Sequence, residues 1–146
     1  MLRKTVTTLV VAAAVAAPAG NVWAAIHAPK IVAKKKVETL TITGPRAPCG
    51  PKNKWGDLQV RIKVQKTTTT VRGKPKVTIK ILALDFPVVS NTTDKTVYIN
   101  KKALPILQED VLTLQTANIE SISGATDTWN SFRQSLQAAL IQAKKP

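Results

Sequence analysis

Residues 119–128 read Ile119-Glu120-Ser121-Ile122-Ser123-Gly124-Ala125-Thr126-Asp127-Thr128 and lead straight into an amphipathic stretch over 129–143. Small residues and hydroxyls are thereby placed where a loop turns into a helix. The first backbone N–H groups of a helix have no intrahelical partner and carry the positive end of its dipole, so such an entry suits a phosphate or phosphoester. Ser123, Gly124, Ala125, Thr126 and Thr128 are the candidate binding residues. The plainer reading of the same residues is an ordinary helix cap, with Ser123 accepting from the backbone and Gly124 easing the turn. Asp127 adds a carboxylate beside the expected phosphate, and it must point into solvent if a phosphate is held there.

Other catalytic chemistry is scarce. The chain has one histidine and one cysteine, so His27 has no second imidazole to complete a metal site and Cys49 has no partner for an intrachain disulfide. His27 reads as solvated and Cys49 as a solvent-near loop thiol without a role. Glu109 and Asp110 are adjacent, and neighbours on a helix point about 100° apart, which makes a poor acid/base pair. No dinucleotide fingerprint or phosphate-binding lysine loop is present. Redox or group-transfer chemistry must therefore come from a cofactor.

Around this tract the spacing predicts an α+β fold. Residues 37–43 alternate and are rich in β-branched side chains, which gives a short strand, and Gly44-Pro45 stops it. Residues 46–54 carry Pro48, Gly50 and Pro51 and read as a loop. Over 55–65, Leu58, Val60, Ile62 and Val64 fall on one face and Gln59, Arg61, Lys63 and Gln65 on the other, a half-buried strand. The threonines at 67–70 and the turn signal Arg72-Gly73-Lys74-Pro75 form a polar hairpin loop, and 76–86 returns as a second strand with Val77, Ile79, Ile81 and Ala83 on one side. Pro87 ends the pairing. A first helix is expected near Asn100 as its cap, with Pro105 in the first turn and a regular stretch over 105–114. A second spans 125–144 with apolar residues at Trp129, Phe132, Leu136, Ala139, Leu140 and Ala143. The expected architecture is a small antiparallel sheet, a central hairpin over 55–86 plus a short N-terminal strand, covered by two C-terminal helices.

Ahead of the domain, residues 1–24 resemble an export leader. Arg3 and Lys4 precede an uncharged run over 5–17, and Val22-Trp23-Ala24 offers small residues for cleavage after Ala24. Residues 25–36 read as a flexible basic tether and 37–146 as the domain. The formal charge is +14, and its excess is local: fourteen Lys or Arg lie between 30 and 80 against Glu38 and Asp57. Such a field either serves solubility alone or attracts an anionic partner such as a cell-surface polymer. Specific nucleic-acid binding is not expected, because Trp55, Phe86, Tyr98, Trp129 and Phe132 are not interleaved with the basic run as stacking platforms would be.

The blocks Ala103-Leu104-Pro105-Ile106-Leu107 and Gln115-Thr116-Ala117-Asn118-Ile119, followed in this order by Ser123-Gly124-Ala125-Thr126, closely resemble the FMN-binding domain family. That family includes small exported flavoproteins and the flavin-carrying C and G subunits of the sodium-pumping NADH:quinone reductase and the Rnf complex. Trp55-Gly56-Asp57-Leu58-Gln59-Val60 and Phe86-Pro87 are similar to the small exported branch, and the likeness covers about 41–143. The resemblance implies FMN as cofactor and electron transfer outside the cytoplasm. It implies as partners a redox protein or a membrane electron-transport complex. It makes Thr126 the residue to which a flavin transferase joins the FMN phosphate, with Ser123, Gly124, Ala125 and Thr128 around that phosphate. Trp55, Phe86 and Trp129 are the expected contacts of the flavin ring.

Overall fold

The computed structural model describes residues 6–11 and 33–145. It is an α+β fold, an antiparallel sheet packed against two helices. The strands are β1 (Val6–Val11), β2 (Ala33–Thr43), β3 (Ala47–Pro48), β4 (Asp57–Val71) and β5 (Lys74–Val88), and the helices are α1 (Asp94–Leu114) and α2 (Thr126–Lys144). The sheet runs β1-β2-β4-β5, and the two-residue β3 continues along β4 beyond the end of β2. The remainder of the expected leader (1–5, 12–24), the expected cleavage site and residues 25–32 of the tether, with His27, lie outside the described residues. Two differences from the expected boundaries follow. Val6–Val11, within the expected leader, pairs with Ala33 to Glu38 of β2, because an uncharged Val/Thr run that suits a leader also suits a strand. Residues 33–36, expected as tether, open β2, where Lys34 to Lys36 pair with Thr68 to Thr70 of β4 and Ala33 pairs with Val11 of β1.

The hairpin β4–β5 is longer than its hydrophobic pattern predicts. The threonines at 67–70 belong to β4 rather than to a loop, and the reversal is made by Arg72 and Gly73 alone, at φ 51° and 78°. Two consecutive positive φ values give the turn whose twist matches a hairpin, and a glycine at the second position adopts one without strain.

Two register shifts, between Gln59 and Arg61 and between Lys63 and Val64, each place an extra residue on β5. The second shift, at Leu82, reverses the phase of the strand, so Leu84 is buried while Leu82 and Ala83 face outward. Ala83 is thereby on the opposite side from the one that simple alternation assigns it. Pro87 does not end the pairing, since Val88 still pairs with Gln59; it falls in the first shift, where a missing N–H is tolerated.

Helix α1 begins six residues before the expected cap. Thr93 is its N-cap and accepts from the Thr96 amide at 3.1 Å. Pro105 consequently lies in mid-helix rather than in the first turn, and the carbonyl of Lys101 loses its helical donor. Gln115 closes the helix in the left-handed conformation, at φ 56°.

The core fills the space between one face of the sheet and the helices. Leu58, Val60, Ile62 and Val64 of β4 are fully buried against Leu107 and Val111 of α1 and Phe132, Leu136 and Ala139 of α2. Helix α2 runs over β4 and comes close to the backbone at Gly44, where any Cβ would collide with Ser135. Ser135 turns this contact into polar order: its hydroxyl donates to the Pro45 carbonyl at 2.8 Å and accepts from the Val60 amide at 3.0 Å. Ser131 likewise reaches the Pro48 carbonyl at 2.7 Å. These bonds fix the axis of α2, and with it the position of its N-terminus. Among the described residues no helix is long and apolar enough to cross a membrane.

Candidate functional site

The N-terminus of α2 opens into a cleft of about 290 Å³ lined by Cys49, Trp55, Lys95, Thr96, Ile99 and residues 124–128. Three segments of chain meet there. Each is positioned by bonds that the sequence specifies.

The first segment is the turn entering α2. Gly124 takes φ +79°, and a Cβ built on it would meet nothing within 4 Å, so glycine is required by the backbone and not by packing. The N-cap is Ala125, whose side chain can accept no hydrogen bond, so the amides of Thr126, Asp127 and Thr128 receive no side-chain cap. The capping role considered for Ser123 is not the one it plays: Ser123 is exposed and lies outside the cleft wall. Thr126 is exposed and lines the cleft. Asp127 is exposed, yet it also lines the cleft, with Oδ2 near Gly50. Its charge therefore opposes an anion there.

The second segment, 49–56, folds back on itself. The Cys49 amide donates to the Gly56 carbonyl at 2.8 Å and the Trp55 amide to the Cys49 carbonyl at 3.0 Å. Asn53 and Gly50 close the turns between them. The Trp55 carbonyl accepts from the hydroxyls of Ser90 and Thr92, the latter at 3.1 Å. This anchors the indole at the cleft wall, against Gly50, where a Cβ would come within 2.7 Å of Nε1. The same folding buries Cys49 to 1% exposure on the cleft floor, which corrects the expectation of a solvent-near thiol.

The third segment is the start of α1, from which Lys95, Thr96 and Ile99 face the cleft. Their spacing is that of one helical face, a signal hidden by the later helix start read from the sequence. Asn100, expected as a cap, is instead 2% exposed and ties the segments together. Its Nδ2 donates to the Ser90 carbonyl at 2.6 Å, and its Oδ1 accepts from the Thr128 hydroxyl at 2.8 Å. The Thr128 hydroxyl is thus engaged inside the protein, at 4% exposure, and its part at the site is to hold the first turn of α2 in place.

The arrangement brings together Gly124, Ala125, Thr126 and Thr128 of the five expected residues and leaves Ser123 outside. Of the three expected aromatic contacts it brings only Trp55. Phe86 packs on Phe132 with ring centroids 5.9 Å apart, and Trp129 is turned toward the core, its Nε1 donating to the Ile119 carbonyl at 3.3 Å.

The lining suits a phosphoester in its helix-entry amides without a side-chain cap, an exposed threonine and Lys95, with the Asp127 carboxylate acting against it. Trp55 and Ile99 add an apolar wall of the kind a planar ring packs against. Among the described residues no group of three or more His, Cys, Asp or Glu side chains is placed to hold a metal ion. Compared with known proteins, the chain matches no family model and no curated protein.

Proposed function

We propose that this protein is an exported FMN-binding electron carrier, with the FMN phosphate at the entry of α2. The observation that carries this reading is the coincidence of the family-like tract with an open cleft: residues 124–128 line it, the helix entry there has no side-chain cap, Thr126 is exposed, and Trp55 lines the same cleft. Flavin, when bound, supplies one- and two-electron transfer. The chain's residues hold and orient it. The amides of 126–128 and Lys95 face its negative end, Thr126 offers the oxygen for a phosphoester, and Trp55 and Ile99 shield one side of the ring from water.

Covalent attachment under a flavin transferase would use an activated donor, a flavin dinucleotide: Thr126 Oγ would bond to the flavin-bearing phosphorus as the pyrophosphate bond breaks, the nucleoside monophosphate would leave and the hydroxyl proton would be lost, giving a phosphodiester whose remaining negative charge would lie beside the amides. A flavin so attached is not lost outside the cytoplasm. A redox protein or a membrane electron-transport complex would then exchange electrons with it.

Expression with and without a flavin transferase tests this reading through visible absorption and intact mass. A yellow protein heavier by one FMN less one water, with Thr126→Ala losing that increment, is the expected result. A colourless protein of unmodified mass in the presence of the transferase overturns the proposal, and an increment that persists in Thr126→Ala overturns the attachment site.

A further inference from the structure

The helices cover one face of the sheet, and the opposite face carries an excess of positive charge. The β2–β4–β5 register places Lys35, Lys63, Lys74, Lys76 and Lys80 on this outer face. Lys35 and Lys76 flank Thr69 in a single row across three strands. The remaining cation, Arg61, is already paired: its Nε donates to both Asp85 oxygens at 3.0 Å, a hydrogen bond that, with the carboxylate's charge, raises the Arg61 pKa above its ordinary value. No other carboxylate faces outward from these three strands over the register, since Glu38 pairs opposite Lys66 on the helix side. Among the described residues none of these five lysines forms an ion pair, and Asp85, the one carboxylate on this face over the register, is engaged by Arg61.

The shape of this array indicates what it fits. At strand and residue spacings of roughly 4.8 and 3.4 Å, the lysines span about 10 Å across the sheet and about 27 Å along it. That is a surface rather than a line. No aromatic side chain stands on the outer face of β2, β4 or β5 to stack a nucleobase, and lysine ammonium groups are point charges suited to mobile phosphates. A planar layer of anionic headgroups meets all of these charges at once, whereas a single polyanionic chain lying along one strand meets only some of them.

We infer that the outer face of the sheet is a docking surface for an anionic phospholipid membrane. The inference stands apart from the flavin reading, since the cleft at α2 lies beyond the opposite, helix-covered side.

Co-sedimentation of the full chain with vesicles of phosphatidylcholine alone, and of phosphatidylcholine with an equal part of phosphatidylglycerol, tests it. The readout is the increment in binding due to phosphatidylglycerol. At roughly fivefold per lysine, Lys63→Gln/Lys76→Gln/Lys80→Gln should lower that increment about a hundredfold. The matched variant Lys101→Gln/Lys102→Gln/Lys144→Gln, which removes the same charge from the helices, should change it little. Equal loss in both variants would assign the effect to net charge and overturn the proposal. So would the absence of any phosphatidylglycerol increment, or binding to soluble polyphosphate under salt conditions in which the vesicles are not bound.

Discussion

Replacing Asn100 by alanine removes the one side chain, among the described residues, that bonds α1 both to the loop after β5 and to the first turn of α2. Two buried groups lose their partner: the Ser90 carbonyl, bonded at 2.6 Å, and the Thr128 hydroxyl, bonded at 2.8 Å. Ser90 and Thr128 are 2% and 4% exposed, so water reaches neither without local opening. An orphaned buried polar group costs about 1–3 kcal/mol, which puts Asn100→Ala at about 3 kcal/mol of lost stability. With a urea slope near 2 kcal/mol per molar, the unfolding midpoint should fall by about 1.5 M. Thr128→Val keeps the shape and deletes only the hydroxyl, leaving Asn100 Oδ1 unpaired at a cost of about 1.5 kcal/mol. In the double variant that second loss is largely absent, because the acceptor is already gone, so the cycle should show about 1 kcal/mol of coupling. Strict additivity of the two changes, or a midpoint for Asn100→Ala within the error of the wild type, would refute the role given to this bridge.

Two other substitutions address the cleft. Asp127→Asn should tighten retention of a non-covalent FMN, since two unit charges at about 6 Å repel by roughly 3 kcal/mol at an effective dielectric near 20 and by well under 1 kcal/mol when solvent-exposed. A gain of less than about fivefold is thus expected in a flavin fluorescence titration. Gly50→Ala should be clearly more damaging than Gly73→Ala in a thermal melt. Both glycines have positive φ, which costs about 1 kcal/mol for alanine, but only at Gly50 does the new methyl also strike the Trp55 indole, whereas nothing lies within 4 Å at Gly73.

The α+β architecture could be read from the sequence because period is a local property. Leu58, Val60, Ile62 and Val64 alternate, and Phe132, Leu136 and Ala139 recur at helical steps; all seven are fully buried. Local rules failed where a distant partner decides the outcome. The threonines at 67–70 resemble a polar loop, yet they are β-branched and have Lys34 to Val37 on one side and Pro75 to Thr78 on the other, so they remain in strand. The phase change at Leu82 leaves no mark in the pattern of β5, which is apolar on both faces there.

Among the site residues, the turn at 124–128 was visible because a helix entry with small residues has a recognisable composition. Lys95, Thr96 and Ile99 were not, since placing them at the cleft requires knowing that Thr93 caps α1. Thr93-Asp94-Lys95-Thr96, a capping hydroxyl followed by an acidic residue, was the signal that could have moved the helix start. The burial of Cys49 has no local signature for a related reason. Proline and glycine indicate a loop, but not that the loop folds over its own thiol.

On β5, the edge strand of the described sheet on the side away from β2, α1 supplies what a neighbouring chain would. Gln115 accepts from the Ile81 amide at 2.7 Å and donates to its carbonyl at 3.1 Å, and Gln108 donates to the Leu84 carbonyl at 3.0 Å. Two glutamines thereby occupy the ladder positions through which a foreign strand would add itself, while Pro75 and Pro87 withhold donors farther along. That border of the sheet is covered at its middle, around Ile81 and Leu84, so a concentrated preparation should resist fibril formation seeded through this part of β5 as long as α1 stays folded.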